Sequence, residues 1–257
     1  MKNVLKADFV RAFKGWRFWS AGALMFLMWE LNSRRFQWKD DVLYLFVHVW
    51  GRSITSLMAM VISAMVFSFS YCEDGEMNFR RYCLLRTEAG KYTKSKICAC
   101  FCGSFAVTVL GTAAFLWRQS FVLPLIADNS YTIENFRNLS CFGRLLSDHP
   151  VCFILLQMAM HGMFCGGMSV LTLAFSTFVQ SAYGVFIIPF LLHYCFYYML
   201  AKPFPSFHIF NMWDVFFCLT TYTDSPAVFL RNVFLVTAVF VLAGYGIMLW
   251  RVRREYR

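Results

Sequence analysis

Glu73 to Lys96, EDGEMNFRRYCLLRTEAGKYTKSK, is the longest strongly polar interruption in a very apolar sequence. Six of the 24 Lys and Arg lie in it (Arg80, Arg81, Arg86, Lys91, Lys94 and Lys96), whereas the flanking runs 53–72 and 97–117 carry no charge. At about 1.5 Å per residue each flanking run makes a helix of roughly 30 Å, the thickness of the hydrocarbon core of a bilayer. The stretch is therefore expected to be a loop between two membrane spans, and its basic charge places it on the cytoplasmic side.

The loop has internal order. Glu73, Asp74 and Glu76 cluster at its start, where negative charge suits a helix N-terminus, and Asp74 is a candidate N-cap. Met77, Arg81, Leu84 and Leu85 follow at helical spacing, with Phe79 and Tyr82 on an adjoining face beside Arg80. Gly90 is a candidate stop. A short helix with exposed apolar side chains and basic flanks suits docking on a partner. A solvated basic loop with no partner accounts for the same spacing.

The totals agree with membrane insertion. The chain has 257 residues, 59% hydrophobic and only 15% charged, with mean hydropathy +0.54. A soluble domain is about 45–50% apolar and about 25% charged, so this chain has too little polar surface to cover a soluble core. Backbone groups in lipid must bond within the chain, and apolar runs of about 20 residues argue for helices rather than a barrel. The expected fold is an all-α integral membrane bundle of six spans. The net charge of +10 clusters beside these spans, so topology and anionic lipid explain it better than nucleic acid does.

Residues 1–15 read as an amphipathic elbow helix, with Leu5, Phe9, Phe13 and Trp16 as its apolar stripe, lying in the cytoplasmic interface and turning at Gly15. The expected spans are 16–32, 53–72, 96–117, 151–176, 182–200 and 231–250. Segments 118–150 and 202–230 are expected outside, as is the polar and apolar segment 33–50. Arg52 is expected near the outer mouth of the second span, lining a cavity; a helix starting near Asp41 would instead carry it into the membrane. Val151 to Ala201 is a run of 51 residues without Asp, Glu, Lys or Arg, which folds back at 177–181. Counted by side, 15 Lys and Arg fall inside and nine outside, which puts both termini in the cytoplasm.

Chemical motifs are few. No P-loop and no H-E-x-x-H occurs. Cys98, Cys100 and Cys102 spread around a helix, a poor metal site, and Cys141 and Cys218 are a candidate external pair whose connectivity spacing does not give. His161 and His193 lie in charge-free spans, as proton relays or, better, as helix-to-helix hydrogen-bonding groups. Gly162 and Gly166, with Ser169, offer a small-residue packing face. Asp148-His149 has no evident nucleophile beside it, which leaves an intramembrane hydrolase the minor reading.

The layout of an elbow helix, six spans and both ends inside, together with one stretch of the chain, resembles a known family. Phe69-Ser70-Tyr71-Cys72-Glu73-Asp74-Gly75-Glu76, then Arg86, then Lys91-Tyr92-Thr93-Lys94-Ser95-Lys96 resembles the loop after the second span of type-2 ABC exporter permeases. Their aromatic run ends that span, an acidic Gly-containing turn follows, and a basic element opens the third; Thr87-Glu88-Ala89-Gly90 stands where the family often has Pro. The resemblance implies a permease subunit of a bacterial cytoplasmic membrane, itself not an enzyme and without a cofactor of its own. ATP and Mg would be bound by separate ABC ATPase subunits, and a second permease subunit, identical or homologous, would complete the pathway. Loop 73–96 would be the coupling element, with turn 177–181 as a smaller contact. The cargo would be an amphipathic peptide, lipid or drug, as in antimicrobial-peptide export and self-immunity. The competing reading is a non-transporting membrane sensor or scaffold whose loop binds another partner.

Overall fold

A computed structural model describes residues 2–36, 41–51, 53–77, 79–127, 137, 140–179, 181–204, 211, 215–217 and 223–255. The described residues form helices and no strand. In chain order these are α1 (Lys2–Lys14), α2 (Trp16–Ser33), α3 (Val42–Trp50), α4 (Ser53–Ala64), α5 (Ser70–Glu76), α6 (Phe79–Arg86), α7 (Ala89–Ser120), α8 (Gly143–Asp148), α9 (Pro150–Ser176), α10 (Ala182–Cys195, continued by a π-helical turn Phe196–Ala201) and α11 (Pro226–Glu255). Four stretches are long and apolar enough to cross a membrane: Ala89–Ser120, Pro150–Ser176, Tyr183–Ala201 and Pro226–Glu255. A fifth is α3 with α4, if that pair, bent by 80°, counts as one span. The chain thus has the build of a multi-pass membrane protein.

The bundle is centred on α7 and α9, which pair extensively and also contact α11. In lipid, burial of apolar surface drives helix association weakly, so close packing and hydrogen bonds between helices matter more. The small residues expected on α9 do this work against α7. A Cβ on Gly162 would lie 2.7 Å from the Phe105 ring, and one on Gly166 would meet the Phe101 ring at 3.0 Å and its carbonyl oxygen at 3.2 Å. Hydroxyls tie the second expected span to this pair: Ser68 Oγ, in the turns after α4, donates to the Ser169 carbonyl of α9 at 3.1 Å, and Ser104 Oγ of α7 donates to the Ser63 carbonyl of α4 at 2.9 Å.

That last bond bears on the second expected span. α4 stops at Ala64 and α5 begins at Ser70, with turns between. Ser104 holds the Ser63 carbonyl, and Val66 N–H reaches the same oxygen in a tighter i→i+3 bond. A side chain inserted into the i→i+4 ladder is a recognised cause of a helix break.

The segment expected outside at 33–50 is partly within the bundle. α3 is buried over most of its circumference (Val42, Leu43, Leu45, Phe46, Val49 and Trp50), with Tyr44 and His48 half-buried. A helix apolar all round belongs in a core, and nine residues, about 14 Å, are too few to span. Asp41 caps it by accepting from Tyr44 N–H at 2.5 Å. The N–H groups of Val42 and Leu43 bond to Pro124 and Leu125 carbonyls, tying α3 to the segment after α7. Trp29 of α2 stacks against Phe46, Trp50 and Phe115, and its indole N–H donates to Thr112 at 3.0 Å.

The breaks at Gly15 and at 177–181 fall where the sequence places them. Gly15 leaves the helix in an extended conformation, and only glycine fits there: a Cβ would sit 2.7 Å from the Arg11 carbonyl oxygen. The helices that carry the third and sixth expected spans run beyond them: α7 starts at Ala89 and α11 runs from Pro226 to Glu255.

Candidate functional site

Three of the expected loop residues lie in a buried ion-pair network. Lys96 of α7 is 1% exposed, and its Nζ lies 2.7 Å from Asp74 Oδ2 of α5 and 3.1 Å from Asp8 Oδ1 of α1. Arg11 Nη1 donates to Asp74 Oδ1 at 2.8 Å, and the Tyr92 hydroxyl to Asp74 Oδ2 at 2.8 Å. Ser95 Oγ donates to Asp8 Oδ2 at 2.5 Å. Glu73 pairs with Arg17 of α2 and, at 3.6 Å, with Arg11. Three carboxylates thus meet three cations, and the junction of α1, α2, α5 and α7 is charge-balanced.

Such a cluster is expensive to bury unless every charge has a partner. Here the partners are present. Burial alone would raise the Asp74 carboxyl; the adjacent Lys96 ammonium and Arg11 guanidinium outweigh it and hold Asp74 below the usual aspartate range. Asp74 is therefore not the N-cap expected from its position: it lies inside α5, where its side chain reaches α1 and α7. Gly90 likewise does not stop α6; it sits in the first turn of α7, close to the Tyr245 hydroxyl.

A second junction joins the loop to the end of α11. Tyr71 donates to Glu255 Oε2 at 2.8 Å, and Arg80 lies 3.3 Å from the same oxygen and stacks on the Tyr71 ring. Arg251 pairs with Glu255 at 3.2 Å and donates from Nε to the Thr177 carbonyl at 3.4 Å. These groups surround a cleft of about 300 Å³ lined by Tyr71, Gly75, Glu76, Arg80, Thr177 and Arg251. Loop 73–96 and turn 177–181, separate in the sequence, meet there.

The outer face of the same segment is apolar. Met77 is 77% exposed, Phe79 44%, Tyr82 66% and Leu85 84%, and Glu76 is exposed beside them. Leu84 differs: it packs partly buried against the core. α6 includes Arg81, whose side chain lies outside the described residues, as do Arg52 and Cys218.

His161 is buried, stacks on Trp50 with ring centroids 3.6 Å apart, and meets Gln157 at 2.5 Å. Gln157 donates onward to the Phe216 carbonyl at 3.0 Å. The expected helix-to-helix bond is therefore indirect: His161 bonds within α9, and Gln157 makes the outward link. His193 packs edge-on to Tyr194 and joins neither junction.

Sequence reading missed Asp8 as a partner for the loop. The signal was present as the lone acid in a basic amphipathic helix, but its meaning depends on where Lys96 lies. Compared with family models, curated proteins and solved structures, the chain matches none.

Proposed function

We propose that this chain is the membrane-embedded permease subunit of an ABC-type exporter, and that α5 and α6 form the surface on which separate ATPase subunits dock. The observation that carries the reading is an exposed apolar face, Met77, Phe79, Tyr82 and Leu85, on a segment whose inner side is fixed by buried ion pairs. A surface that transmits force needs a rigid mount. This mount reaches α1, α2 and α7 through Asp8, Asp74, Glu73 and Lys96, and α11 through Glu255.

In this reading six spans are made by α2, α4 with the turns that follow it, α7, α9, α10 and α11. α1 is the interfacial elbow, and α5, α6 and both chain ends face the cytoplasm of a bacterium. Two distances support an even number of crossings: Arg11 near one end of the chain lies 2.8 Å from Asp74, and Glu255 near the other lies 2.8 Å from Tyr71. The ATPases bind ATP and Mg, this chain performs no hydrolysis, and a second permease subunit completes a path for an amphipathic substrate. The family assignment rests on the layout and on the resemblance of 69–76, Arg86 and 91–96; the docking surface rests on the geometry.

The test is affinity capture of the full-length chain from its own membranes, with identification of retained P-loop ATPases. Phe79→Ala with Leu85→Ala should abolish that retention at unchanged membrane insertion. Retention equal to wild type would remove α6 from the docking surface, and capture without any ATPase would remove the transporter reading.

A further inference from the structure

The last turns of α11 carry two sets of arginines with different surroundings. Arg251 faces inward to Glu255 and Thr177. Arg253 and Arg254 face outward, exposed, with no acidic partner among the described residues. Arg254 lies over the Trp250 ring with its guanidinium carbon 5.5 Å from the centroid. Below them is a notch of about 560 Å³ lined by Gly246, Leu249, Trp250, Arg253 and Arg254.

The notch opens onto an apolar stripe. Leu235, Val239, Leu242, Gly246, Trp250 and Arg253 recur at three- and four-residue spacing and so share one face of α11. Leu235, Val239, Leu242 and Trp250 are 48%, 52%, 67% and 52% exposed. Gly246 leaves a gap in this face, and no packing demand explains it: a Cβ there would meet nothing within 4 Å. Two residues earlier, a Cβ on Gly244 would meet Val170 Cγ1 at 2.6 Å, so Gly244 has a packing reason and Gly246 has none.

We propose that this notch is a binding site for an anionic phospholipid, with the headgroup phosphate held by Arg253 and Arg254 beside Trp250 and one acyl chain lying along Gly246, Leu242 and Val239. Two unmatched guanidiniums supply the charge complement to a phosphate, and fork-shaped N–H groups suit its oxygens. Trp favours the headgroup level, and juxtamembrane arginines attract anionic lipid. The helix C-terminus itself repels an anion, so the arginines must outweigh it. The inference rests on α11 crossing the membrane and is independent of the transporter reading.

The experiment is native mass spectrometry of the full-length chain in detergent, titrated with phosphatidylglycerol or with phosphatidylcholine of the same acyl chains. Wild type should hold one phosphatidylglycerol at least tenfold more tightly than phosphatidylcholine. Arg253→Gln with Arg254→Gln should weaken phosphatidylglycerol by roughly tenfold or more and leave phosphatidylcholine unchanged. Gly246→Leu should weaken both lipids. Replacing an exposed helical Gly raises helix stability, so unfolding would not explain its loss, and an unchanged melting temperature checks this. Arg231→Gln, at the opposite end of the same helix, should bind as wild type. Unchanged phosphatidylglycerol binding in the double variant, equal binding of the two lipids by wild type, or full competition by millimolar inorganic phosphate would each overturn the proposal.

Discussion

At the scale of single residues, Lys96 carries the most weight. It lies between two carboxylates from two other helices and is itself almost inaccessible. Lys96→Met should lower stability by about 3–5 kcal/mol, because it leaves Asp8 without its cation and Asp74 with Arg11 alone. Asp8→Asn added to Lys96→Met should recover part of that loss, as read by thermal unfolding in detergent. If the double variant is no more stable than the single, Asp8 and Lys96 do not act as a pair. The depressed Asp74 value sets the sign of a pH effect. A carboxylate held below its unfolded value contributes stability that is complete above about pH 4 and is lost as pH falls through the lower, folded value. The melting temperature should therefore hold from pH 7 to about 4 and decline below it, and Asp74→Asn should make the decline shallower.

At the scale of elements, α6 divides into two faces with separable consequences. Leu84 packs partly buried, so Leu84→Ala should lower the melting temperature with little specific effect on docking. Phe79 and Leu85 are exposed, so their truncation should leave the melting temperature within a degree or two and weaken partner retention, with a cost of about 2 kcal/mol or more if either is an interface anchor. A matched loss of stability in all three variants would show that the whole helix belongs to the core. The pairing of α7 with α9 makes a sharper structural prediction. Gly162→Leu places atoms where the Phe105 ring lies and should cost about 1–3 kcal/mol through overpacking. Gly246→Leu, a similar substitution facing open space, should cost nothing.

At the scale of the whole molecule, the two ends of α7 define two ends of the bundle. Lys96, Asp8, Asp74 and Glu255 gather at one. At the other, Glu30 of α2 accepts from Arg118 at 2.7 Å and from Gln119 at 3.0 Å. Between them lies the aromatic stack of Trp29, Phe46, Trp50 and Phe115, so among the described residues these ion pairs gather at the two ends around an apolar middle. Leu85 and Arg144 are exposed at opposite ends. Single cysteines there, in a cysteine-depleted background, should react with membrane-impermeant reagents from opposite faces, Leu85→Cys from the cytoplasm only. Reaction of both from the same face would overturn the proposed six-span topology.

The sequence alone determined the class of solvent and the all-helical build, though of the six expected spans four are helices long and apolar enough to cross a membrane among the described residues. Its apolar runs exceed what a soluble core can hide, and lipid forces their backbone bonds to close locally, so α7, α9, α10 and α11 and the breaks at Gly15 and 177–181 follow from local information. The inward set of Gly162 and Gly166 was also legible, since small residues at helical spacing have few other uses in lipid. Only the tertiary structure decided what the charges do. Asp74 read as a cap because capping is local, yet its partners stand 63 residues away at Arg11 and 18 away at Tyr92. The apolar run of α3 carries no mark that distinguishes a buried short helix from an external one; the space between α2, α4 and α7 settles that. Pairing energies depend on distance and on the surrounding dielectric, and neither is fixed until the helices have packed.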